Sequence, residues 1–173
     1  MSLRRRFLAI ASLASVIAVS SALAGGQAQA SPTTPVTGHF PIEEHIAVLE
    51  PESTACGFAV SLDFSGEGTF QAFFDEQDNL LRLHVLEYTT GTVSANGIAL
   101  RYEGRDNRFY DFQTETLTQV GLVFRYSLPG LGVVLMDRGR LIIENLGDGE
   151  VTFEAGSHSL FGDVGSLCAA LTP

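Results

Sequence analysis

The chain has 173 residues, 45% of them hydrophobic, with twenty Asp and Glu against ten arginines and no lysine, a formal charge of −10. A surface so negative repels nucleic acid and anionic membranes, which sets both aside as default partners. The length suffices for one ordinary domain with a real core, and the absence of tryptophan argues against typical lipocalin and immunoglobulin cores.

The first thirty residues read as an export signal. Arg4, Arg5 and Arg6 precede an apolar, serine-containing run from Phe7 to Ala24, and Ala28-Gln29-Ala30 forms a small-x-small cleavage site. Cleavage is expected between Ala30 and Ser31, with Ala22-Leu23-Ala24 as the second candidate. The apolar run is short, so no stable membrane span is expected after cleavage, and no Cys stands at either site to carry a lipid. Arg4-Arg5-Arg6-Phe7-Leu8 also resembles the twin-arginine pattern, but Leu3 and Ala9 depart from its polar flanks, which favours the general secretory route. All twenty carboxylates lie beyond the signal, with seven arginines, so the expected exported chain carries −13. Abundant Ala, Gly and Arg without lysine point to a high-GC genome.

Residues 31–55 are expected to be a flexible Pro/Thr-rich leader and a peripheral segment. In it Ile42, Ile46 and Leu49 fit one face of a short helix, and Ile46 to Leu49 fit a strand. A single domain is expected over 56–171, and its period is two. Phe58, Val60, Leu62 and Phe64 alternate with Ala59, Ser61 and Asp63, which predicts a half-buried strand. Thr69 to Phe74 follows Gly66-Glu67-Gly68, and Asp78-Asn79 turns into Leu80 to Thr90. Asn96-Gly97, whose residues both accept positive φ, predicts a tight hairpin between Gly91–Ala95 and Ile98–Tyr102. Asp106-Asn107, Pro129-Gly130, Asp137-Arg138-Gly139 and Asp148-Gly149 mark turns among five further runs: Arg108–Gln113, Thr116–Tyr126, Leu131–Met136, Arg140–Asn145 and Val151–Ala155.

The pattern predicts an all-β antiparallel up-and-down meander of about eight or nine strands. Short connections favour a closed barrel, which also removes exposed edges; a β-sandwich is the alternative. Cys56 and Cys168, the only two thiols in a chain bound for an oxidising compartment, are expected to be joined.

Cys56-Gly57-Phe58-Ala59-Val60 at the start of the domain, with Gly162-Asp163 and Leu167-Cys168-Ala169-Ala170-Leu171 at its end, resembles a group of small secreted actinobacterial β-proteins. In these a Cys precedes a Phe-x-Val strand and a second Cys closes the chain. Asp163 lies five residues before Cys168, farther than in that group. The resemblance implies export, a barrel-like fold and a terminal disulfide, and it implies no activity.

No catalytic constellation emerges. His39, His45, His84 and His158 lack the spacing with acidic neighbours that a zinc site needs. Ser157-His158-Ser159 with Asp163 has no nucleophile elbow. The acidic loops Asp75-Glu76-Gln77-Asp78 and Asp148-Gly149-Glu150 lack calcium-ligand periodicity, and Gly66-Glu67-Gly68 opens no helix to hold phosphate. No metal or cofactor is therefore expected. In Leu80–Tyr88, Leu81, Leu83 and Val85 share one face, while Arg82, His84, Leu86 and Tyr88 share the other. Inside a barrel the second face would line a ligand cavity, making Arg82, His84 and Tyr88 the candidate ligand-binding residues. Outside, it would meet water. The leading expectation is a secreted, acidic, non-enzymatic β-domain that binds a small apolar ligand or a cell-envelope component. The competing class is a barrel enzyme of the allene-oxide-cyclase or dirigent type, a cyclase or isomerase steering a reactive ligand.

Overall fold

A computed structural model describes residues 35–146, 149–158 and 164–173. The expected signal, its cleavage site and Asp163 lie outside these. Among the described residues, seven strands and two short helices follow one another: β1 (Val36–Ile46), α1 (Glu52–Cys56), β2 (Ser61–Phe74), β3 (Leu80–Ala95), β4 (Ile98–Asp111), β5 (Thr116–Leu128), β6 (Gly132–Glu144), β7 (Glu150–His158) and α2 (Gly165–Ala170). The strands form one antiparallel sheet in sequence order, β1 to β7. The meander is as expected, but β1 and β7 are not hydrogen-bonded to each other, so the sheet is open.

The strand count falls below eight because residues expected to turn the chain lie within strands. Gly66-Glu67-Gly68 sits inside β2 opposite Thr89, Tyr88 and Glu87. Asp106-Asn107 lies inside β4 and Asp137-Arg138-Gly139 inside β6. Gly121, Gly139 and Gly156 stand side by side across β5, β6 and β7. A Cβ on Gly139 would lie 2.1 Å from the Ala155 carbonyl oxygen, and one on Gly156 would lie 2.4 Å from that of Arg138. Glycine is needed here because neighbouring backbones approach too closely for any side chain, a device that bends a sheet rather than ending a strand. Asn96-Gly97 does turn the chain as expected, with φ of 53° and 78°.

The segment expected to be a leader followed by a peripheral helix or strand contributes an edge strand. β1 pairs with β2 along its whole length, from Val36 opposite Ala72 to Ile46 opposite Leu62.

One face of the sheet carries the core, in two clusters. Val60, Leu62, Val93, Leu100, Tyr102, Phe124, Tyr126 and Leu135 form the first with Leu167 and Leu171 of the C-terminal segment. Ala72, Leu83, Val85, Tyr110 and Leu117 form the second, against which Phe40 of β1 and Ile143 of β6 both pack. Strands five places apart in the sheet thus share one apolar cluster, so the sheet coils strongly towards itself.

The two helices cover the first cluster. Gly57, at φ 74°, ends α1 and donates to the Ser53 carbonyl. Ser53 Oγ accepts from Val60 N–H at 2.9 Å, fixing α1 on the entry to β2. Leu167 and Leu171 are fully buried, and Asn96 Nδ2 donates to the Leu171 carbonyl at 3.0 Å. Each such leucine contributes roughly 1.5–3 kcal/mol. Cys56 and Cys168 are joined as expected, with Cα atoms 5.1 Å apart. The bond links α1 to α2, not the first strand to the last, because both helices cap the same end of the sheet.

Candidate functional site

The inner face carries a polar band between the two apolar clusters. Arg108 of β4 reaches Glu87 at 2.8 Å through Nη2 and Asp106 at 2.9 Å through Nε. Gln119 Nε2 donates to the same Asp106 oxygen at 2.6 Å. Burial pushes the Arg108 guanidinium down, but Asp106 and then Glu87 push it up more strongly, so it stays charged. Burial raises the Glu87 carboxyl, and Arg108 partly offsets that rise. A buried cation bracketed by two carboxylates and a donating amide is a satisfied network, which holds β3, β4 and β5 in register.

Two further polar pairs share this face. Asp137, 1% exposed, contacts His158 Nδ1 at 2.9 Å, tying the end of β7 to β6. Glu52 of α1, 2% exposed, interacts with Tyr126, and its Oε2 has no hydrogen-bond partner among the described residues. Burial raises the Glu52 carboxyl, and burial followed by Glu52 raises the Tyr126 phenol. Neither pair was visible in the sequence, because each joins residues from separate elements and carries no motif. No group of three or more metal-ligating side chains occurs among the described residues.

The opposite face is organised differently. Leu83 and Val85 point into the core, so Arg82, His84, Leu86 and Tyr88 point outward, with Tyr88 46% exposed. The structure brings the three candidate ligand-binding residues together on one strand, on the solvent side rather than in an interior. His84 stacks on Phe109 across the β3–β4 ladder, centroids 4.3 Å apart. Arg82 covers the Phe73 ring at 5.2 Å and Arg140 the Phe153 ring at 5.7 Å.

Cross-strand register extends this field over five strands. One row runs Tyr88, Arg105, Leu122, Arg138 and Ser157. The next runs Leu86, Asn107, Val120, Arg140 and Ala155, and a third runs His84, Phe109, Thr118, Ile142 and Phe153. Over β3 to β7 these three rows contain no carboxylate, although the chain has twenty; on β2 the first row continues to Glu67. Of the seven described arginines only Arg108 faces inward. Arg125 pairs with Glu103 at one margin, whereas Arg82, Arg105, Arg138 and Arg140 form no ion pair with another described residue. With spacings of about 4.8 Å between strands and about 6.6 Å between alternate residues, the rows cover roughly 19 by 13 Å. The sequence signal for this field was the polar-side parity of each strand, legible only once the register was known.

Comparison with protein-family models, curated proteins and solved structures yields no match. No helix among the described residues is long and apolar enough to cross a membrane.

Proposed function

We propose that the chain is an exported, barrel-like interaction domain of the non-enzymatic kind, which docks a cell-envelope component on its outer sheet face. The observation that carries this reading is the carboxylate-free field of aromatic, aliphatic and arginine side chains on an otherwise acidic chain. Exposed apolar residues scattered singly need no function, but Leu86, Tyr88, Phe109, Val120 and Phe153 lie in adjoining rows around cations that form no ion pair with another described residue. The inner-face cluster of Arg108, Glu87, Asp106 and Gln119 supports the same reading, since its charges satisfy one another and serve the fold. The disulfide is compatible with an extracellular location.

The test is retention of the exported protein on an envelope fraction of the producing cells. The wild type is expected to be retained, and Phe109→Ser with Val120→Ser is expected to abolish retention while the circular dichroism stays unchanged. Equal retention of both overturns the reading. A cyclase-like or isomerase-like enzyme is the second reading, favoured by the buried acid Glu52 against Tyr126. A small molecule retained by the wild type in native mass spectrometry, and lost in Glu52→Gln, would select it.

A further inference from the structure

We infer that the outer field binds an extended polyanionic glycan; this rests on the interaction-domain reading and names its partner. Charge is the first argument. Arg105 and Arg138 flank Leu122 in one row, and Arg140 stands two residues from Arg138 on β6. Three guanidiniums that form no ion pair with another described residue, in a chain of twenty acids, select an anion and reject a second copy of the same face. Fork-shaped donors of this kind match carboxylate and phosphate groups in two-point contacts.

Size and relief choose among anions. The three rows span roughly 19 by 13 Å by the strand spacings above. That footprint fits one polymer chain laid across the strands. No apolar side chain in the field stands clear of the sheet as an inserting wedge, Tyr88 at 46% exposed being the most open, which disfavours a bilayer. Around the cations stand Asn107, Thr118, Ser157 and the Tyr88 hydroxyl, uncharged groups that suit sugar hydroxyls. Tyr88 and Phe109 add apolar surface for ring faces.

The test uses the exported protein and polygalacturonate as the probe, with neutral dextran, an oligothymidylate and phosphatidylglycerol vesicles alongside. Polygalacturonate is expected to bind, more weakly at high salt, with no binding to dextran. Arg105→Gln with Arg138→Gln is expected to weaken binding at least about tenfold. Arg101→Gln with Arg125→Gln removes the same charge outside the three rows and is expected to leave binding within about twofold. Equal loss in both pairs would show charge without a site and overturn the proposal. Absence of polygalacturonate binding, or preference for the oligonucleotide or the vesicles, overturns it as well. If envelope retention in the preceding test still requires Phe109 and Val120, the interaction face then stands and only the glycan assignment falls.

Discussion

Reducing the bond between Cys56 and Cys168 changes no side chain but frees a loop of 112 residues. In the chain-entropy description, closing a loop of that length lowers the entropy of the unfolded chain enough to contribute about 4.8 kcal/mol at 25 °C. The folded side of the equilibrium should change little. Leu167 and Leu171 stay buried, and Asn96 still holds the Leu171 carbonyl. Because an ordinary domain has about 5–15 kcal/mol in all, the reduced protein is expected to fold but marginally. Urea unfolding followed by far-UV circular dichroism, with and without dithiothreitol, measures this directly. The oxidised form should unfold at higher urea, with a smaller urea dependence because its unfolded chain stays compact. The melting temperature should fall by roughly 15 °C on reduction. A loss below about 1 kcal/mol would refute the argument that loop closure is what this bond supplies.

Gly139→Ala should cost more than about 2 kcal/mol, since its Cβ would meet backbone that cannot rotate away. Gly130→Ala, at φ +85° with nothing near its Cβ, should cost only about 1–2 kcal/mol, and the difference between the two melts isolates the close approach. Arg108→Met leaves buried Asp106 and half-buried Glu87 without their cation and should cost about 3 kcal/mol in thermal or urea unfolding at neutral pH. For Glu52 the folded group holds its proton to higher pH than the ordinary 4.5. Below that value both states are protonated; above it the unfolded chain ionises first and stability falls until the folded group also ionises. Glu52→Gln cannot ionise, so its stability relative to wild type should rise as pH climbs from about 4.5 and level off below it, as thermal melts across pH would show.

The alternation that exposed the strands after Cys56 could not place their ends. Asp106-Asn107 and Asp137-Arg138-Gly139 have turn chemistry, yet Asp106 is held by Arg108 and Gln119, and Asp137 by His158. A buried partner across the sheet makes an aspartate a strand residue, and nothing local announces the partner. β1 was obscured for a related reason: an edge strand with Pro41, Glu43, Glu44 and His45 loses the regular alternation of an inner one. The candidate site was legible in composition but not in direction. Arg82, His84 and Tyr88 share a face by parity alone, and only the helices over the first core cluster and the coil of the sheet decide that this face is the outer one.

The covalent loop from Cys56 to Cys168 also sets how the molecule would carry tension. β2 through β7 all lie between the two sulfur atoms, so a pull on the ends of the chain passes through the disulfide and bypasses their ladders. β1 alone lies outside, clasped to β2 by the register from Val36 to Ile46. Pulled from its N-terminal end, the domain would give up one strand and then stop, with the outer faces of β3 to β7 still in place.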